Sequence, residues 1–91
     1  MELDSYVEEK LRFAKAELKG SPNRGKLEHV VLRTFIAVQE SDLPDPLQAR
    51  YSAAREVLLR HGKLGSDAFS QLTDEEVSQV WRALQEVCRS V

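Results

Sequence analysis

The residue types that most often do chemistry are scarce in this sequence, which has two histidines and one cysteine. Cys88 lies seven positions after Trp81 on the apolar face of a predicted helix, which is typical of a small buried hydrophobe. His29 lies on the polar side of another predicted helix, with Arg33 one turn later, and we interpret it as a solvent-exposed side chain. No serine neighbours a histidine and no GxSxG motif occurs, so the pattern indicates no nucleophile.

Metal ligands would come from these residues and the carboxylates, but their spacing matches no CxxC, HxH, HExxH or EF-hand pattern. Asp42 and Asp45 are separated by a proline, which indicates a capped turn. The adjacent glutamates at 8–9 and 75–76 point about 100° apart on a helix, so we interpret them as helix N-terminal charges. We therefore expect no catalytic residue, no metal and no cofactor, and we do not expect an enzyme.

Nucleic-acid binding is an alternative that rests on the third predicted helix, whose Gln48, Arg50 and Arg55 could contact bases or phosphates. Its arginines are spaced by five, so they spread around the helix and do not line one side. The formal net charge is −2, whereas a nucleic-acid binder usually has a basic excess. A DNA- or RNA-associated regulator is therefore the less favoured hypothesis.

The four glycines and three prolines divide the chain into four helical segments, because all of them fall within residues 20–25, 44–46 or 62–65. Short connections between helices favour antiparallel neighbours. We predict one all-α domain over residues 1–91: a compact four-helix up-down bundle with a short extra helical turn, around 67–71, before the last helix. That turn is predicted to pack Phe69 inward, and Leu72 and Val77 are predicted to form a hydrophobic staple at the start of the last helix.

The residues beside these breaks predict the helix boundaries. Helix 1 is predicted from about Leu3 to Lys19, with Gly20 after its end, and its apolar residues, Tyr6 and Phe13 among them, are predicted to share one buried face. Helix 2 is predicted to begin after Asn23 as its N-cap and to run to about Glu40. Helix 3 is predicted to have Asp45 as its N-cap and Pro46 as its first residue, and to end at Gly62. A capping box of Thr73 and Glu76 predicts the start of helix 4.

Helix 2 carries the stretch LEHVVLRTFIAV, residues 27–38, whose apolar residues cover roughly 260° of a helical wheel. Such a helix must be covered on several sides, by the rest of the chain or by a second copy. We therefore expect the other helices to pack around it. The apolar faces of the other predicted helices account least well for the side of helix 2 that carries Leu32 and Ile36.

An apolar surface left over from the core would bind another protein or a second copy of the chain. The predicted anchors are Leu32, Ile36 and the outward-facing Leu59, with Glu40, Asp42 and Asp45 as charges at the rim. The leading hypothesis is a small non-enzymatic protein-binding module: an adaptor, a regulator, or an inhibitor of the immunity or antitoxin type.

The composition indicates which broad class of protein this is. The chain has 91 residues, 42% of them hydrophobic, and a single cysteine, which excludes an intramolecular disulfide. The N-terminus is acidic where a signal peptide is basic, and no apolar run approaches the length of a membrane helix. We expect a cytoplasmic protein with no membrane contact. Its preference for arginine over lysine hints at a bacterial source.

Overall fold

The structure is a computed structural model. It describes the backbone of residues 5–35, 38–60, 66–89 and 91, and the side chains of these residues except 35 and 66–68. The described residues form four α-helices of seven or more residues and no strand, which confirms the predicted all-α fold. The α-helices are α1 (Ser5–Glu17), α2 (Arg24–Val30), α3 (Asp45–Leu59), the short α4 (Ser66–Gln71) and α5 (Asp74–Cys88).

Helix α1 turns one stripe inward, formed by Val7, Leu11, Ala14 and the following Leu18. Gly20 then adopts a φ of +83°, the left-handed conformation predicted for the residue that ends this helix. Tyr6 and Phe13 differ from the prediction, which placed them on the buried face. Both are exposed, because the buried stripe is narrower than the apolar face of the sequence.

Helix α2 begins as predicted, with the Asn23 side chain accepting a hydrogen bond of 2.9 Å from the main-chain N–H of Lys26. It continues as a π-helical segment, Val31–Phe35. The prediction of a helix to about Glu40 is wrong, because Gln39 is extended and caps a 3₁₀ turn over Glu40–Asp42. The Asp42 carboxylate accepts from the Gln39 N–H, and this local bond starts a new turn where the α-helix was expected to continue.

Helix α3 starts one residue earlier than predicted, with Pro44 as its N-cap and Asp45 as its first residue. It buries Tyr51, Ala54, Val57 and Leu58. The helix ends at Leu59, whereas the sequence predicted an end at Gly62. Residues 61–65 lie outside the described part of the chain.

Helices α4 and α5 follow the prediction closely. The short helix α4 packs Phe69 into the core, and the Thr73 hydroxyl and Glu76 carboxylate form the predicted capping box. The predicted hydrophobic staple of Leu72 and Val77 is also buried. The buried face of α5 then consists of Val77, Val80, Trp81, Leu84, Val87 and Cys88.

Helix α5 lies at the centre of the packing, because α1, α2 and α3 all contact it and its contact with α3 is the most extensive. The described part of residues 27–38, around which the sequence predicted the other helices to pack, contacts α1, α4 and α5. Gln85 donates to the main-chain oxygen of Leu18 while Lys15 donates to that of Val91, so α1 and α5 run antiparallel. No helix in the described part of the chain combines the length and the apolar character needed to cross a membrane.

Candidate protein-binding surface

The structure does not bring together those of the six predicted partner-binding residues that it describes. Leu32 is partly buried against the core, and Ile36 lies outside the described residues. Leu59 is 43% exposed at the last position of α3. Glu40, Asp42 and Asp45 lie at or just before the first position of that helix, which at 1.5 Å per residue is about 20 Å from Leu59. These residues therefore occupy at least two separate surfaces.

The acidic residues before α3 have local structural roles. Asp42 accepts the hydrogen bond from Gln39 that closes the 3₁₀ turn, at 2.9 Å. Asp45 is exposed in the first turn of α3, where a carboxylate interacts favourably with the helix dipole. Glu40 is exposed and shares a shallow groove with Arg55. The structure accounts for Asp42 and Asp45 without a partner.

Two of the three predicted nucleic-acid contacts are held within the chain. Gln48 donates to the main-chain oxygen of Leu43 at 2.8 Å. The Arg55 guanidinium lies 5.9 Å from the centroid of the Tyr51 ring. Arg50 is exposed and makes no hydrogen bond or ion pair with the residues that the structure describes. Of the three predicted contacts, Arg50 is therefore the one that remains available to bind a phosphate.

Cys88 is buried in the core, which confirms its interpretation as a small buried hydrophobe. Burial raises the pKa of its thiol to about 12, and the nearby charge of Lys15 opposes that rise. A thiol with such a high pKa is almost entirely protonated at neutral pH and is a poor nucleophile. Within the described residues, no group of three or more His, Cys, Asp or Glu side chains could hold a metal ion.

The most exposed large apolar side chains besides Leu59 are Tyr6 at 53% and Phe13 at 40%. They are seven residues apart on α1, so they lie on one face two turns apart. Lys10 lies between them, with its ammonium 5.5 Å from the centroid of the Tyr6 ring. The Phe13 ring tilts by 51° against the ring of His29, at a centroid distance of 6.3 Å. Helix α1 therefore presents an aromatic face beside the exposed side of α2.

A groove of about 270 Å³ runs between this face of α1 and the π-helical segment. We call it the aromatic groove, and it is lined by Tyr6, Glu9, Lys10, Phe13, Arg33 and Thr34. Thr34 is completely buried, and its hydroxyl has no hydrogen-bond partner in the described structure. The groove therefore combines two aromatic rings, two cations and one carboxylate.

A helical wheel of α1 indicates that Tyr6 and Phe13 lie away from the buried stripe. At about 100° per residue, Tyr6 and Phe13 point within roughly 20° of each other and more than 100° from the centre of the buried stripe. An assignment of all apolar residues to one face hides that offset. The unpaired hydroxyl of Thr34 has no comparable signal, because it depends on the π-helical backbone around it.

Comparisons with models of protein families, with curated proteins and with solved structures gave no match to this chain.

Proposed function

We propose that this chain is a non-enzymatic protein-binding module, acting as an adaptor, a regulator or an immunity- or antitoxin-type inhibitor, and that the aromatic groove is its binding surface. The observation that carries the proposal is the exposure of Tyr6 and Phe13 on one face of α1, at 53% and 40%. The sequence hypothesis of an uncovered apolar surface is kept, but its location moves from Leu32 and Ile36 to α1.

The composition of the aromatic groove supports this proposal. Tyrosine, phenylalanine and arginine are enriched in protein interfaces, and tyrosine and arginine recur among the residues that dominate binding energy. Aromatic rings contribute a large apolar area while losing few rotameric degrees of freedom. Tyr6, Phe13 and Arg33 place these residue types around one groove between two helices. A partner that covered both rings would bury apolar area now in contact with water.

A photo-crosslinking amino acid introduced at position 13 tests the proposal in cells of the organism that makes the protein. The matched control is the same amino acid at position 59, because Leu59 is equally exposed but lies on α3. We expect a covalent adduct with one defined protein from position 13 and none from position 59. An adduct from position 59 alone would move the binding surface to α3.

A second copy of the chain is the other partner that the sequence hypothesis allows. Sedimentation at micromolar concentration distinguishes it, since a self-associating chain sediments as a dimer. We expect a monomer for the wild type and for Tyr6→Ser/Phe13→Ser. A wild-type dimer that this double substitution converts to a monomer would identify the partner as a second copy.

A further inference from the structure

We propose that the aromatic groove binds an acidic segment of a partner protein, one that carries carboxylates beside an apolar side chain. This inference rests on the proposed function and specifies the chemistry of the partner. Its basis is the charge distribution around the exposed rings of Tyr6 and Phe13.

The two cations of the groove are not neutralised within the described structure. Arg33 is exposed and makes no hydrogen bond or ion pair with any described residue. Lys10 likewise has no carboxylate partner among the described residues, and its ammonium lies over the Tyr6 ring. By contrast, Arg12, on the same helix as Lys10, is paired with Glu8 at 2.6 Å. Lys10 and Arg33 come from the two sides of the groove, so a carboxylate bound between them would be attracted by both.

The aromatic rings strengthen the attraction of the cations for a carboxylate. A partner side chain that packs on Tyr6 and Phe13 excludes water from the groove, and ion pairs are stronger where water is excluded. Arginine also binds carboxylates with two parallel hydrogen bonds, a geometry that Arg33 is free to adopt. An apolar side chain next to a carboxylate therefore matches the groove better than either group alone.

The Glu9 carboxylate favours a protein partner over a nucleic acid. A nucleic acid also combines anions with stacking bases, but its phosphates repeat along the chain, and some of them would meet the Glu9 carboxylate that lines the groove. A peptide can place its carboxylates beside Lys10 and Arg33 and leave Glu9 facing a neutral or basic residue. The formal net charge of −2 also disfavours a polyanion.

Thr34 lines the groove with its buried side chain, and its hydroxyl is not exposed to a bound segment. The groove thus offers its interactions through the side chains of Tyr6, Phe13, Lys10 and Arg33, for a carboxylate and for an apolar side chain.

A displayed library of random 12-residue peptides, selected on the full chain, tests the inference. We expect the selected peptides to carry Asp or Glu within a few positions of Leu or an aromatic residue. Synthetic copies, measured by fluorescence anisotropy, should bind Lys10→Glu/Arg33→Glu and Tyr6→Ser/Phe13→Ser at least tenfold more weakly than the wild type. Arg50→Glu is the matched control for charge, because it reverses an unpaired arginine on α3, and it should change the Kd less than twofold.

Further variants test the contribution of charge to peptide binding. Lys10→Gln/Arg33→Gln removes both charges without adding repulsion, and it should weaken binding less than the double reversal does. Glu9→Gln should strengthen binding of the acidic peptides severalfold. The Kd should also rise between low and high salt, because the ion pairs lie near the surface. Circular dichroism of each variant shows whether it is folded before its Kd is used.

Each contrary outcome has a defined meaning. Selected peptides that depend on Tyr6 and Phe13 but contain no acidic residue would overturn this inference and leave the proposed function standing. Peptides that bind independently of both aromatic residues, or a selection that returns none, would overturn the inference while the crosslinking experiment still judges the proposed function. Competition by oligothymidine at low salt would assign the groove to nucleic acid instead.

Discussion

The phenolic hydroxyl of Tyr51 donates a hydrogen bond of 2.5 Å to the main-chain oxygen of Val38. Both residues are buried, and the bond joins α3 to the extended segment that follows the π helix. Burial raises the pKa of Tyr51, as do Asp42 and Glu40, whereas Arg55 opposes the shift. The bond gives the buried carbonyl of Val38 a donor from α3.

We predict that Tyr51→Phe lowers the free energy of unfolding by about 1–2 kcal/mol, because it leaves the Val38 oxygen buried without this donor. Urea denaturation followed by circular dichroism measures the change. The exposed substitution Gln79→Ala on α5 is the control and should change stability little. Equal effects of the two substitutions would show that the Tyr51 hydroxyl contributes nothing to stability.

Arg24 connects the start of α2 to the segment between α4 and α5. Its guanidinium donates to the main-chain oxygens of Phe69 and Leu72, at 2.5 and 2.6 Å, and to the Asp74 carboxylate at 3.0 Å. Nη1 donates to both carbonyls and Nη2 donates to Asp74. We expect Arg24→Lys to destabilise the protein by about 1–2 kcal/mol, because an ammonium has one nitrogen and cannot reproduce this planar arrangement of donors.

Asp74→Asn provides the comparison for Arg24→Lys, since it removes the charge of a fully exposed carboxylate and leaves both carbonyl contacts of Arg24 in place. Thermal denaturation of both variants should give a clearly lower Tm for Arg24→Lys and a small change for Asp74→Asn. If Asp74→Asn lowered the Tm as much, the ion pair and not the carbonyl contacts would explain the role of Arg24.

Thr34→Val should stabilise the isolated protein. Valine has nearly the same shape as threonine, and it removes a completely buried hydroxyl that lacks a partner in the described structure. We expect the free energy of unfolding to rise by about 1 kcal/mol in urea denaturation. A loss of stability would contradict this expectation and show that the hydroxyl is hydrogen bonded in solution.

We predict that the free energy of unfolding falls at alkaline pH because of the ionisation of Cys88. The pKa of its thiol rises from an ordinary value of 9.0 to about 12 in the folded protein. Above pH 9 the unfolded chain releases a proton that the folded chain keeps, so the stability that is fully present below pH 9 falls until about pH 12. Between pH 8 and pH 10 this linkage lowers the free energy of unfolding by about 1 kcal/mol.

Cys88→Ala isolates that contribution. Although the substitution lowers stability at every pH by removing a buried side chain, it should reduce the difference between pH 8 and pH 10 in urea denaturation. In the wild type, a thiol reagent at pH 8 should label Cys88 slowly and accelerate in denaturant. Rapid labelling of the native protein would show that the thiol is accessible.

Features set by neighbouring residues could be predicted from the sequence. The capping box of Thr73 and Glu76 is such a feature, because both of its hydrogen bonds join residues three apart. Asn23 as an N-cap and Phe69 as a core residue were predicted for similar reasons: a cap and an apolar residue within a short helical turn are recognisable locally.

Features set by distant parts of the chain could not be predicted in this way. Helix 2 ends early where Val38 meets Tyr51, thirteen positions later in the chain. The exposure of Tyr6 and Phe13 likewise depends on where α2 and α5 contact α1. The amphipathic pattern of α1 identifies its apolar residues, but tertiary packing decides which of them are buried.

The central position of α5 affects the order in which the protein can fold during its synthesis. Helices α1, α2 and α3 leave the ribosome before α5, yet each packs against it. The hydrogen bond between Gln85 and Leu18 spans 67 residues, so α1 cannot dock on α5 until nearly the whole described chain has been made. Contacts between such distant residues slow folding. The faces of α1, α2 and α3 that pack on α5 therefore stay in contact with water in the nascent chain until α5 emerges.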